Sequence, residues 1–221
     1  MIRKLLRSIL AFLFRLLTHV EVKGVENIPE KGGAILATNH MSRLDPPLVF
    51  IFIERSDLTA LVADKYKKYP VFSWILNAVN GIYINRESAD FSALREARSF
   101  LKNGGMLGIA PEGTRSTTGQ MLEAKTGVAY LADKAGVPIV PIAIMGTEDA
   151  VQKLLHLRRP KLRIQFGEPF HLPPLVRNNR SASLKQNTDE IMCRIAAMLK
   201  PRYWGAYQDQ PCVQQASNQT P

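Results

Sequence analysis

From about residue 19 onward, short apolar runs of extended character alternate with longer segments of helical period. A chain with this rhythm can bury its strands only in a sheet that helices cover on its faces. The runs "HVEVK", "GGAILATNH", "LTALVAD", "GIYIN", "MLGIAPEG", "VPIVPIAIMG" and "KLRIQFGEPF" read as strands, the sixth interrupted by Pro141. Between them, "PPLVFIFIERS", "YPVFSWILNAVNG", "SADFSALREARSFLKNGG" and "KTGVAYLADKAG" read as helices, and another is expected from about Leu184 to Lys200. Pro46 and Pro47 suit a first helical turn, where no N–H is needed, and Ser88 is a candidate cap. The expected fold class is α/β: a largely parallel or mixed central sheet flanked by helices, with an N-terminal amphipathic helix. Residues 205–221 lack a core pattern and are expected to form a disordered tail.

Such a topology also predicts where chemistry gathers. In open α/β sheets, reactive groups collect in loops beyond the carboxyl ends of the strands. His40 and Asp45 follow the second run, Asn85 and Arg86 the fourth, and "PEGTRS" the fifth. If these strands are parallel neighbours, the three loops share one rim.

The N-terminal segment "MIRKLLRSILAFLFRLL" is amphipathic. On a helix, Arg3, Lys4, Arg7 and Arg15 fall within an arc of roughly 120°, where only Phe14 intrudes. The opposite face is leucine-rich. Its longest charge-free run is too short to span a bilayer, which takes about 20 apolar residues. Arg7 and Arg15 interrupt the apolar region, which argues against a signal peptide. Residues 1–17 are therefore expected to lie on a membrane surface, arginines toward lipid phosphates and leucines in the acyl region. The bland alternative is a helix docked on its own domain.

The formal charge of +10 favours anionic partners, an anionic membrane surface among them. No recognisable nucleic-acid motif accompanies it, so no nucleic-acid partner is expected. Cys193 and Cys212 stand far apart in sequence and suggest neither a disulfide framework nor a zinc site, which implies a reducing compartment.

His40 and Asp45, five positions apart in "TNHMSRLDPP", can form a proton-handling pair. Asp45 can equally cap the helix that begins at the prolines. The two roles are compatible, since a capping carboxylate can still orient one imidazole nitrogen. In "PEGTRS", Pro111 and Gly113 shape a turn, Glu112 lies in it, and Thr114, Arg115 and Ser116 offer donors suited to a phosphate. Arg86 and Lys125 are further basic candidates. A serine hydrolase lacks its G-x-S-x-G elbow here, metal chemistry lacks ligands spaced around His40, and a nucleotide P-loop is absent.

In order and spacing, "NHMSRLD", "GIYINR", "PEGTRS" and "VPIVPIAI" resemble the four motif blocks of the glycerolipid acyltransferases, most closely the 1-acyl-sn-glycerol-3-phosphate acyltransferase type. The likeness covers roughly residues 18 to 170. It implies an acyltransferase domain over residues 18–204, with His40 as general base and Asp45 as its partner. Arg86, Glu112, Gly113, Thr114, Arg115 and Lys125 would bind the phosphate-bearing acceptor and order the site. The implied reaction moves an acyl group from a CoA or acyl-carrier-protein thioester to the free hydroxyl of lysophosphatidic acid, giving phosphatidic acid. Another lysolipid or glycerol 3-phosphate is an alternative acceptor, and a non-catalytic basic membrane-binding protein is the alternative class. No cofactor and no metal are implied, and a membrane-associated enzyme on the cytoplasmic face is expected. Asn85, Ala110 and Ala124 depart from the family's usual residues, which bears on the acceptor pocket rather than on proton transfer.

Overall fold

A computed structural model describes residues 2–70, 73, 76, 80–85 and 90–217. Seven strands form one sheet: β1 (His19–Lys23), β2 (Ala34–Thr38), β3 (Leu58–Ala63), β4 (Ile82–Ile84), β5 (Met106–Ile109), β6 (Ile139–Met145) and β7 (Lys161–Phe166), in the spatial order β1-β7-β6-β2-β5-β3-β4. Neighbours pair in parallel except β6 and β7, which are antiparallel. The helices are α1 (Ile2–Leu17), α2 (Asp45–Phe52), α3 (Phe91–Lys102), α4 (Gly127–Ala135), α5 (Ala150–Leu155), α6 (Arg180–Ala197) and α7 (Pro211–Ser217).

The central strands are apolar on both faces, as a doubly covered sheet requires. Every residue of β6 is buried. Side chains alternate across it: Ile139, Ala143 and Met145 join the core beneath α3, α4 and α6, while Val140, Ile142 and Ile144 join the core beneath α1 and α2. Pro141 does not interrupt β6. A strand residue's N–H and C=O point to the same side, and the Pro141 carbonyl accepts from Gly167 N at 2.8 Å, just past the end of β7. The missing donor thus falls where the ladder has already ended.

The helices depart from expectation in instructive ways. Asp90 caps α3, accepting from Ala93 N at 3.0 Å; the candidate cap Ser88 lies outside the described residues, as does most of the expected helix over 69–81. The closing helix starts and stops a few residues earlier than read from the sequence, and α5 was not anticipated.

The N-terminal helix is inverted relative to the expected pose. Half of its cationic arc, Arg3 and Arg7, faces the protein, while Lys4 and Arg15 are exposed. Arg3 donates to the carbonyls of Ser56 and Leu58, the latter at 2.9 Å, and Arg7 donates to Ile53 O at 3.2 Å. Phe14, the single apolar residue in that arc, is the buried one. Ile2, Leu5, Ile9, Phe12, Leu16 and Leu17 are left exposed.

Two expectations at the C-terminus are corrected. Residues 205–217 are not a disordered tail: Tyr207 and Val213 are buried, and α7 packs on α6. Cys193 and Cys212 are joined in a disulfide, their Cα atoms 5.9 Å apart. The segment between them folds back through two 3-10 turns, Pro201–Tyr203 and Gly205–Tyr207, which brings α7 onto α6. With this bond the compartment argument from reduced cysteines loses its support. Closing a loop of this length stabilises a fold by roughly 2–4 kcal/mol. Urea titrations of the protein with and without reductant are expected to differ by that amount, and a thiol count without reductant is expected to find none free.

Candidate functional site

Because β2, β5, β3 and β4 are mutually parallel, the loops after them emerge on one rim, as the topology argument requires. The end of β6 joins the same rim, since β6 is parallel to β2. Asn39 fastens the two together: its Nδ2 donates to Ile144 O at 2.9 Å and its Oδ1 accepts from Ile144 N at 2.8 Å. The chain then reaches His40.

His40 Nδ1 lies 3.0 Å from Asp45 Oδ2. That oxygen also accepts from the backbone N–H groups of Met41 and Ser42, both at 2.7 Å. The other carboxylate oxygen, Oδ1, accepts from Thr147 Oγ1 at 2.6 Å. Asp45 side-chain exposure is 1% and that of His40 is 18%. The carboxylate is buried with donors on every side, and the ring keeps an edge in solvent. With Nδ1 engaged, Nε2 is the nitrogen left for a substrate proton, and no described residue is bonded to it.

Asp45 does not cap α2 in the expected sense. It is the first residue of the helix, and its side chain reaches back to amides of the preceding loop rather than forward into the first turn. Pro46 and Pro47 occupy that turn.

The "PEGTRS" loop splits into two functions. Glu112 is buried, so it does not stand among exposed ligand-binding groups. Its Oε1 accepts from His40 N at 3.0 Å and its Oε2 from Leu122 N at 2.9 Å. Ser116 N donates to His40 O at 2.8 Å. The third block therefore clamps the backbone of the first on both sides of the histidine. Thr114 and Arg115 are exposed beside this clamp. Gly113 takes φ 70°, and a Cβ there would press on the Lys125 stem at 3.2 Å. That contact runs the lysine chain along the turn, and Lys125 N binds Pro111 O at 2.9 Å. Arg86 lies outside the described residues.

Ser42 is not a poised nucleophile. Its Oγ accepts from Leu44 N at 3.3 Å, within its own turn. Sequence reasoning missed Asn39 and Thr147. Asn39 stands beside the histidine and could have been suspected; Thr147 is 102 residues from Asp45 and carries no local signal.

The chain matches the family model described as Acyltransferase over residues 19–145. It belongs to that family. Among curated relatives, a 1-acyl-sn-glycerol-3-phosphate acyltransferase of Borreliella burgdorferi is 32% identical over 58% of this chain and 52% of its own length. One from Pseudomonas aeruginosa is 36% identical over 56% of this chain and 48% of its own. The chain thus spans about half the length of these relatives. A solved structure, that of the 1-acyl-sn-glycerophosphate (LPA) acyltransferase PlsC from Thermotoga maritima, superposes with a TM-score of 0.67 at 29% identity, covering 90% of this chain and 80% of the other.

Burial lifts the Glu112 carboxyl, against the pull of its two amide donors, from 4.5 to about 7. Its folded pKa exceeds its unfolded value, so the folded state holds the extra proton between those two pH values. Stability from this group is full below pH 4.5 and is lost as pH rises through 7. The loss amounts to about 3 kcal/mol at most. Urea denaturation at a series of pH values is expected to show that decline, and Glu112→Gln is expected to flatten it.

Proposed function

We propose that this chain transfers a fatty acyl group from a thioester to the free hydroxyl of a lysophospholipid, with lysophosphatidic acid the first candidate. The observation that carries this reading is the His40–Asp45 pair at 3.0 Å, one member buried and the other open to solvent, on the rim that also bears Thr114 and Arg115. The relatives' names and the resemblance of the four motif blocks support the same acceptor class.

In this mechanism His40 Nε2 takes the proton of the acceptor hydroxyl as its oxygen attacks the thioester carbonyl. Asp45, held by Met41, Ser42 and Thr147, keeps Nδ1 protonated and steadies the imidazolium. The carbon–sulfur bond breaks as the tetrahedral intermediate collapses, and the departing thiolate recovers the proton from His40. The new ester is the product, and no enzyme nucleophile takes part. Arg115 and Lys125, with Arg86, would anchor the acceptor phosphate, which confers rate by fixing geometry. Glu112 acts through the His40 backbone. The donor is a thioester of coenzyme A or of acyl carrier protein.

A membrane surface is the natural place for this reaction, because acceptor and product are lipids. The exposed leucine face of α1 supports docking there, with Arg3 and Arg7 serving to bind the helix to the domain. No helix among the described residues is long and apolar enough to cross a membrane.

The test is release of free thiol from acyl-CoA and from acyl carrier protein thioester, with lysophosphatidic acid, other lysolipids, glycerol 3-phosphate or water as acceptor. Acceptor-dependent release is expected, and His40→Ala is expected to lower it by about 10²- to 10⁴-fold. Release with water alone would mark a hydrolase, and no release by the wild type would favour a binding protein. Separately, Leu5→Ser/Phe12→Ser/Leu16→Ser is expected to abolish sedimentation with liposomes while leaving turnover of a soluble short-chain acceptor intact.

A further inference from the structure

We propose that the turn Leu155–Leu157 is a second lipid-inserting element, and that cations around it engage the headgroups of an anionic bilayer. This rests on the reading of α1 as a membrane-docking helix and extends it to a second part of the fold.

The turn is anomalous as a piece of folded protein. Leu157 is 96% exposed and Leu155 78%, with Val151 one turn earlier at 54%. Single exposed leucines are common, but these belong to one short helix and its exit. The backbone adds a second anomaly. Arg158 N donates to Lys153 O at 2.9 Å and Leu157 N to Leu154 O at 3.0 Å. These paired bonds close a helix in the Schellman manner, and they put Leu157 at the position that wants a left-handed residue. Its φ is 54°. Glycine or asparagine fits that conformation, whereas leucine is disfavoured in it. A residue that neither packs nor suits its backbone gains nothing for folding, but an apolar side chain raised on a tight turn is suited to enter lipid.

Two features identify the lipid surface as the occupant. The first is continuity with α1. Arg159, which follows the turn, donates through Nη2 to Arg15 O at 2.7 Å and Thr18 O at 3.1 Å, so the turn is tied to the last turn of α1. That turn of α1 bears exposed Leu16 and Leu17. The second is charge. Arg158 and His156 flank Leu157, and a cleft of about 850 Å³ beside them is lined by Arg15, Lys153, Arg159, Lys161 and Lys200. Lys153 is paired with Asp149 at 2.7 Å, whereas Arg15, Lys161 and Lys200 are exposed and stand in no ion pair among the described residues. Apolar tips ringed by cations match an acyl layer roofed by phosphates.

The placement has a functional consequence. Thr147, which binds Asp45, lies just ahead of α5, so the turn stands on the rim that bears His40. Contact through α1 and this turn together gives the protein two fixed points on the bilayer and limits its rotation about α1. The active rim is then held toward the lipid acceptor.

The experiment compares the full chain with Leu155→Gln/Leu157→Asn, and with the α1 variant above, on vesicles of phosphatidylcholine with and without one-quarter phosphatidylglycerol. Asparagine suits the backbone of residue 157, so the variant is expected to be at least as heat-stable as the wild type and to turn over a soluble acceptor normally. Its partitioning onto the anionic vesicles is expected to fall about tenfold. Wild-type binding is expected to weaken on pure phosphatidylcholine. A Leu157→Cys protein carrying a polarity-sensitive fluorophore is expected to shift to the blue with anionic vesicles, and a Lys134→Cys control is not. Unchanged partitioning and no spectral shift, with binding lost in the α1 variant, would overturn this inference and leave the α1 reading standing. A wild type that binds neither vesicle would overturn both. Equal wild-type binding to both vesicles would overturn the headgroup contact.

Discussion

A buried carboxylate survives in a protein only where donors surround it. Asp45 meets that demand by drawing on two parts of the chain: its own loop, through the amides of Met41 and Ser42 and the ring of His40, and the Thr147 hydroxyl after β6. Each donor it collects also fixes something. The amides set the loop after β2, Thr147 binds that loop to β6, and the imidazole is left with one nitrogen committed and one facing outward. The tight loop and the oriented imidazole are one arrangement seen from two sides.

The rest of the rim supports it. Asn39 ties β2 to β6 by two hydrogen bonds, while Glu112 and Ser116 hold the N–H and C=O of His40. Three segments distant in sequence thereby converge around one residue, which a parallel sheet makes possible by bringing strand ends to one edge. Precision in the ring's position comes from the backbone clamp, and direction comes from Asp45. Thr114 and Arg115 are exposed beside this clamp.

Much of this was legible in the sequence, within limits set by distance along the chain. The strand–helix rhythm led to the sheet, and the shared rim followed from it. The His40–Asp45 pairing was readable because both lie in one loop. Thr147 was not, since nothing local marks a threonine whose partner is a hundred residues away. Glu112 was read as a ligand-binding carboxylate because composition reveals charge and not burial. In α1 the periodicity located both faces correctly, yet periodicity cannot say which face packs inward. Phe14, an intruder among the basic residues, is the anchor, and Arg3 and Arg7 turn inward with it to satisfy carbonyls at the end of α2 and the start of β3. The C-terminal segment escaped because short 3-10 turns and a disulfide leave no hydrophobic period to detect.

The central claim is that Asp45 holds a proton on Nδ1 of His40 so that Nε2 stays unprotonated and ready to act as a base. Nitrogen NMR of histidine-labelled protein reads this tautomer directly, with His40→Asn identifying the signals among those of the four histidines. The neutral ring is predicted to show a protonated Nδ1 and a bare Nε2, and Asp45→Asn is predicted to abolish that preference. A proton found on Nε2 of the neutral wild-type ring would contradict the account.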